Sequence, residues 1–75
     1  MGAGIPVLTA AQVERILLAL GFECRPGKGA HRFYRHPDGR TTTVPFHAGR
    51  DISPTLLRKI CKDAEHSVES FLQTR

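Results

Sequence analysis

One histidine of this sequence lies in surroundings that suit proton transfer beside a phosphate. Residues 27–34 have the sequence GKGAHRFY, which places His31 after a glycine-rich turn, between Lys28 and Arg32 and ahead of two aromatic residues. An imidazole has an unperturbed pKa of about 6.5, so it accepts or donates a proton near neutral pH. The glycines leave backbone N–H groups accessible to phosphate oxygens. The stretch is therefore the candidate catalytic site of the chain.

RNA is the substrate that such a site would fit. Each RNA phosphate lies beside a 2′-OH, so cleavage needs a base for the hydroxyl proton and cations that stabilise the charge on the phosphorane. We predict that His31 is the general base or acid. Spacing alone favours a plainer interpretation, a strand-edge histidine hydrogen-bonded to backbone, and the wider sequence reverses that preference. The residues predicted to contact phosphate or RNA are Lys28, Gly29, Arg32, Arg35, His47 and Arg50.

The positive charge of the chain is concentrated in the same region. The 75 residues carry a formal net charge of +4. Residues 25–50 contain six cations and one acid, a net charge of +5, whereas the rest of the chain carries −1. A focused positive patch attracts polyanions and raises encounter rates, whereas charge that only solubilises a surface needs no such segregation. The distribution therefore favours a nucleic-acid partner.

The other histidines and the two cysteines give weaker signals. His36 is predicted to cap a turn, and His66 to lie at the surface. His47, in a glycine-containing loop, is either a second acid/base group or a phosphate contact. Cys24 and Cys61 are predicted to be small buried apolar residues, with a disulfide or a metal site as the alternatives. No cysteine–histidine set has zinc spacing and the few acids are scattered, so no metal or other cofactor is predicted.

Capping signals and hydrophobic periodicity predict helices that flank three strands. Thr9 begins a capping box, and Ser53 followed by Pro54 is a second helix start. Short turns between the strands imply an antiparallel meander. Residues 1–8 form a short lead that we expect to be ordered only near its end. The predicted elements are a helix over 10–20, strands over 22–25, 30–36 and 40–44, a helix over 54–64, and a last short helix after Ser67.

These elements predict a single α+β domain over residues 1–75. Two helices that each bury one apolar stripe can share one face of a three-stranded antiparallel sheet and leave the other face open. This α-β-β-β-α arrangement, with both helices on one face of the sheet, is the double-stranded-RNA-binding-domain-like (dsRBD-like) fold. Alternation along the second strand puts His31 on the same side as Phe33 and opposite Tyr34. It leaves open which of the two aromatic residues is buried.

Four segments of the chain, in combination and in order, resemble a known family. They are LGF at residues 20–22, GKGAHRFYRHPDGR at 27–40, VPFHAG at 44–49 and the helix start ISPTLLRKI at 52–60. Over about residues 13–72 the chain resembles the HicA (YcfA-like) mRNA interferase toxins of type II toxin–antitoxin systems. The resemblance implies a dsRBD-like fold, cleavage of translated mRNA, a catalytic role for His31, and a HicB-type antitoxin that covers the active site.

Two positions depart from the pattern of that family. Ala30 stands where the family usually has Ser, so a hydroxyl that could orient the imidazole or contact phosphate is missing. Glu65 and His66 stand where the family commonly has a Gly and an apolar residue, which affects only the path into the last helix.

The sequence thus predicts a metal-independent endoribonuclease toxin that uses His31 as its single acid/base group. One alternative is a non-catalytic RNA-binding module of the same fold that uses the same basic patch. Another is a protein-interaction domain whose basic face meets an acidic partner. We expect the protein to act in the cytoplasm, because no apolar run approaches the ~18 residues of a membrane span and no signal peptide begins the chain.

Overall fold

A three-stranded antiparallel sheet and two helices form the body of the structure, with a two-stranded ribbon and a terminal helix added. The computed structural model describes residues 7–27, 29–47 and 51–74. The α+β class and the predicted dsRBD-like order are confirmed. The elements are β1 (Leu8–Thr9), α1 (Ala10–Ala19), β2 (Glu23–Pro26), β3 (His31–Arg35), β4 (Thr41–Pro45), β5 (Asp51–Ile52), α2 (Pro54–Asp63) and α3 (Val68–Gln73).

Both ends of α1 are closed by the hydrogen bonds that its sequence predicts. The Thr9 side chain accepts from the Gln12 amide, and the Gln12 side chain accepts from the Thr9 amide. At the other end Gly21 has a φ of 99°, and the Phe22 amide donates to a carbonyl of the last turn. This is the Schellman arrangement. Because the Phe22 amide closes the helix, β2 begins at Glu23, one residue later than predicted.

The end of α2 uses the same arrangement without a glycine. The His66 amide donates to the carbonyl of Cys61, and the Glu65 amide donates to that of Lys62. Glu65 has a φ of 59°. The left-handed conformation costs a residue with a side chain roughly 1–2 kcal/mol, so this junction holds backbone strain. The chain then enters α3, which Ser67 caps as predicted.

The sheet has the order β2-β3-β4, and one of its faces packs against both long helices. On that face Tyr34 is fully buried, opposite Cys24 and Thr42 on the neighbouring strands. The Thr42 hydroxyl donates to Asp63 of α2 over 2.9 Å. Tyr34 is therefore the core aromatic of β3, whereas Phe33 is 39% exposed on the opposite, open face.

Two further features complete the core. Leu8 of β1 pairs with Ile52 of β5, and both are buried. Strands of two residues carry no period, so the sequence does not predict this ribbon. Cys61 is buried, which raises the pKa of its thiol to about 11, and Cys24 is half-buried. Both cysteines are free, so the interpretation of Cys61 as a small buried residue is confirmed and a disulfide between the two is not formed.

A carboxylate from α1 ties β3 to the helical layer. The Tyr34 hydroxyl donates to Glu14 Oε2 over 2.5 Å, and Arg32 Nη1 donates to the same oxygen over 3.0 Å. Burial would raise the pKa of Glu14, but the hydrogen bonds from Tyr34 and Arg32 outweigh that cost and lower it from 4.5. The fold therefore favours the ionised form of Glu14.

Glu14→Gln should lower the free energy of unfolding by about 1–2 kcal/mol at pH 7, because hydrogen bonds to a charged acceptor are lost. Since the folded-state pKa of Glu14 lies below 4.5, its contribution is present above pH 4.5 and is lost as the pH falls through the folded-state value. Urea titrations between pH 7 and pH 3 should show the difference between wild type and variant shrinking below pH 4.5. Glu69→Gln, which removes an exposed carboxylate of α3, is the control. A difference that stays constant with pH would contradict this account.

Candidate active site

The open face of the sheet carries alternate residues of β3. His31, Phe33 and Arg35 are exposed there, whereas Arg32 and Tyr34 reach Glu14 on the helical side. Side chains of directly paired residues in an antiparallel sheet lie on the same face. The partners of these three residues on β2 and β4 are Glu23, Arg25, Thr41, Thr43 and Pro45.

His47 lies directly beside His31. The centroids of the two imidazole rings are 6.0 Å apart, and the ring planes meet at 83°. His31 pairs with Pro45 at the end of β4, so two more residues of chain bring His47 to the same end of the face. Both side chains are exposed. The structure therefore brings together the two histidines that the sequence indicates separately.

Phe46 anchors the chain segment that carries His47. Its backbone amide donates to the carbonyl of Ala30, the residue before His31. The guanidinium carbon of Arg32 lies 4.0 Å from the centroid of the Phe46 ring, a cation–π contact. The two histidines are thus linked through their sequence neighbours rather than only through their side chains.

Arg32, a predicted phosphate contact, lies on the helical side of β3. Its guanidinium bonds to Glu14 and stacks on Phe46, on the side of the sheet away from His31. Glu14 raises the pKa of Arg32, chiefly through that hydrogen bond. The structure therefore does not bring Arg32 together with His31 on the open face.

The turn before β3 leaves no room for a side chain at Gly27. A Cβ there would lie 2.5 Å from the carbonyl oxygen of His31, closer than Cβ atoms approach backbone. Gly29 has a φ of 61°, and among the described residues no heavy atom lies within 4 Å of the position of a Cβ. Gly29 is therefore an exposed turn residue near His31. Lys28, between the two glycines, and Arg50 lie outside the described residues, so the structure does not place these two predicted contacts.

The far end of the open face carries two arginines. Arg35 forms no ion pair with a carboxylate of the described residues. Arg25 lies 3.6 Å from Glu23 in an exposed ion pair, a type that contributes little stability. A shallow cleft here is lined by Glu23, Arg25, Arg35, His36 and Pro37. The cleft extends the face away from His31 and contains cations that an anionic ligand can reach.

Two other residues of the basic segment have structural roles. The His36 ring packs edge-on against Phe22, with centroids 5.2 Å apart, and its Nδ1 lies 3.1 Å from the Asp38 amide nitrogen. The predicted role of His36 as a turn cap is confirmed. Arg40 donates to Asp38 and to the carbonyl of Ala64 at the end of α2, and its hydrogen bonds lower the pKa of Asp38.

Metal-ligating side chains do not cluster in the part of the chain that the structure describes. Within residues 7–27, 29–47 and 51–74, no three His, Cys, Asp or Glu side chains form a group that could hold a metal ion. Among the described helices, none has both the length and the apolar character needed to cross a bilayer.

A family model for the HicA toxin of bacterial toxin–antitoxin systems matches residues 10–65. The chain belongs to the HicA toxin family. The match confirms the family that the motifs indicate, and it spans α1, the sheet and α2 together with both paired histidines. HicA membership makes the chain a toxin component with a partner in such a system. No curated protein matches the chain in a sequence search.

The sequence of this HicA chain does not decide whether Phe33 or Tyr34 is the exposed aromatic residue of β3. Alternation links Phe33 to His31 but does not say which face of the strand is open. The signal that could have identified Phe33 is the face that it shares with His31, because a His31 exposed for catalysis implies an exposed Phe33. Tyr34 carries a hydroxyl and is nevertheless the buried one, since Glu14 satisfies that hydroxyl.

Gly27→Ala should displace the backbone at His31, because the added Cβ would clash with its carbonyl oxygen. We expect altered NMR shifts for the His31 and His47 imidazole protons together with lower stability. Gly39→Ala is the matched control: it places alanine at another turn glycine, with a φ of 103° and open space around it. The control variant should lose stability without shifting the imidazole resonances of His31 and His47. Unchanged His31 and His47 signals in Gly27→Ala would contradict the role given to this glycine.

Proposed function

We propose that the protein is an mRNA interferase, a metal-independent endoribonuclease that cleaves translated mRNA in the cytoplasm. Family membership supports the toxin role. The observation that supports the nuclease activity is the position of His31, exposed on an open sheet face that also carries His47, Phe33 and Arg35. RNA cleavage through the 2′-OH requires a group that moves protons and a cation that stabilises the phosphorane charge, and this face offers imidazoles and an arginine for those roles.

The reaction is an internal transesterification of the RNA. His31 takes the proton of a 2′-OH and the 2′-oxygen attacks the adjacent phosphorus. The bond from phosphorus to the 5′-oxygen breaks, and the 5′-oxygen takes up a proton as it leaves. The products are a 2′,3′-cyclic phosphate and a 5′-hydroxyl end. The substrate supplies its own nucleophile, so the protein has to position the phosphate, move protons and stabilise the phosphorane charge.

The open face gives a path for a single strand of RNA. Phe33 lies two residues from His31 on the same face and provides a surface on which an unpaired base can stack, worth about 1–3 kcal/mol per base. Arg35 and Arg25 lie beyond it and can hold a neighbouring phosphate. Unpaired bases are available in mRNA that is being translated, which agrees with the proposed substrate.

The remaining predicted contacts fit the same path as proposals. Lys28 precedes His31 by three residues and Arg50 follows His47 by three, so each cation is close in sequence to one imidazole. Gly29 offers its backbone at the exposed turn between Lys28 and His31. For Arg32 we propose a positioning role in place of phosphate contact, because Glu14 and Phe46 occupy its guanidinium.

The same face is the proposed contact surface for a HicB-type antitoxin. A protein that covers Phe33 and pairs acidic groups with Arg25 and Arg35 would block RNA from His31. An exposed apolar ring between cations suits such a partner, since aromatic and arginine side chains are enriched at protein interfaces.

A non-catalytic RNA-binding module is the second candidate. Ala30 favours it, because the family's usual serine hydroxyl beside the imidazole is absent. This candidate keeps the RNA path and loses only the proton transfer, so a cleavage assay separates the two functions.

His31→Ala should abolish cleavage of mRNA by the purified protein in EDTA, because general acid–base catalysis contributes about 10²–10⁴-fold. The measurement is the initial rate of cleavage for wild type and variant at equal concentration. His66→Ala is the matched control, since His66 lies just before Ser67, the N-cap of α3, and its ring bonds to Ser70 of that helix. RNA binding without cleavage by wild type would instead support the binding module. Cleavage that survives in His31→Ala would refute the catalytic assignment.

Arg35→Ala should weaken RNA binding and reduce the slope of log K against log salt by roughly 0.7, the loss expected for one phosphate contact on a single strand. Arg15→Ala removes the same charge from the exposed surface of α1 and should leave the slope unchanged. Fluorescence anisotropy with a labelled RNA oligonucleotide at several salt concentrations measures both. Equal slopes for the two variants would show that Arg35 does not contact phosphate.

A further inference from the structure

We propose that His47 is a second catalytic residue, the general acid that protonates the leaving 5′-oxygen while His31 acts as general base. The inference rests on the proposed ribonuclease function and assigns its second proton transfer to a named side chain. A single histidine would have to serve both oxygens of the reacting phosphate in turn. Two neighbouring imidazoles can serve them in one step.

The ring geometry supports a shared substrate group. The ring centroids lie 6.0 Å apart and the ring planes meet at 83°, so both imidazoles lie at the same end of the open face. We infer that one phosphate bound at this end contacts both side chains. Both side chains are exposed, so the phosphate has access to them.

His47 is held in this place by the fold. The Phe46 amide bonds to Ala30, and the Phe46 ring stacks under the Arg32 guanidinium. Arg32 is in turn fixed by Glu14 of α1. Phe46, the residue before His47, therefore has a backbone hydrogen bond to the residue before His31. Its ring also contacts Arg32, which in turn bonds to α1. Such support is what a positioned catalytic group needs.

We place the RNA with its 5′ end at the cleft and its 3′ end at His47, and the order of groups along the face then gives the two roles. From the cleft the order is Arg35, Phe33 and His31 on β3, followed by His47 beyond Pro45, the partner of His31. A base stacked on Phe33 places its ribose next to His31, which then faces the 2′-OH. The RNA strand continues toward His47, and His47 then faces the 5′-oxygen of the next nucleotide.

The proposed step balances without another reactant. The 2′-oxygen–phosphorus bond forms and the phosphorus–5′-oxygen bond breaks. One proton passes from the 2′-OH to neutral His31, and another passes from protonated His47 to the 5′-oxygen. Exchange with water then restores both imidazoles. The charged or titratable described residues on this face are Glu23, Arg25, His31, Arg35 and His47. Of these side-chain types only imidazole ordinarily changes charge between pH 5 and 8, so the rate should follow a bell-shaped pH profile.

A substrate with a better leaving group tests the assignment. Sulfur in place of the bridging 5′-oxygen leaves as a thiolate and needs no general acid. Both forms of one oligonucleotide, built on a site that wild type cleaves, are compared with wild type, His31→Gln, His47→Gln and the control His66→Gln. The glutamines keep a polar group and remove the titration, and circular dichroism melts confirm that each variant is folded.

His47→Gln should slow kcat on the oxygen substrate by about 100-fold or more and lose the alkaline limb of the pH profile. On the sulfur substrate its rate should return to within about tenfold of wild type, whereas His31→Gln stays slow on both. Equal slowing of His47→Gln on the two substrates, a change in KM alone, or no slowing would each overturn the proposal. If wild type cleaves and depends on His31, these results refute only the role of His47. If wild type cleaves neither substrate, the ribonuclease function fails with it.

Discussion

The register of β3 is the constraint on which the site depends. Tyr34 is fully buried in this strand, and its hydroxyl bonds to Glu14 of α1. Arg32, on the same side, bonds to the same carboxylate. Because side chains alternate along a strand, these two anchors fix His31 and the other alternate residues on the open face. A slip by one residue would bury His31 and expose Tyr34, so the core and the candidate active site are set by one choice of pairing.

The same alternation divides the cations of the basic segment. Arg32 and Arg40 face carboxylates and backbone carbonyls of the fold, where they hold α1 and the end of α2 to the sheet. Arg25 and Arg35 lie on the open face. The charge segregation in the sequence is real, but part of it stabilises the domain. The basic patch proposed to contact RNA is therefore smaller than the charge of the whole segment suggests, and among the described residues it lies on one side of the sheet.

Local chemistry made most of the fold predictable. Three helix boundaries depend on hydrogen bonds and backbone conformations within a few residues of sequence. They are set by the Thr9 capping box, by Gly21 after α1, and by Ser53 with Pro54, and the structure has all three where the sequence predicts them. Contacts between distant segments were not predictable in this way. The β1–β5 ribbon joins residues about 40 positions apart with two pairs only. The position of His47 likewise depends on the packing of Phe46 under Arg32, which no local pattern encodes. The proposal of His31 as the central residue came from the wider sequence and not from its spacing alone, whereas the proximity of His31 to a second imidazole required the folded chain.

We propose above that this face cleaves RNA through the substrate's own 2′-OH. Mass spectrometry of the ends that the purified protein leaves on a short RNA tests it most directly. Attack by the 2′-OH should leave a 2′,3′-cyclic phosphate, or the 3′-phosphate formed from it, on one fragment and a 5′-hydroxyl on the other. Fragments that end in a 3′-hydroxyl and a 5′-phosphate would show that water attacked the phosphorus in place of the 2′-OH, and would contradict the account.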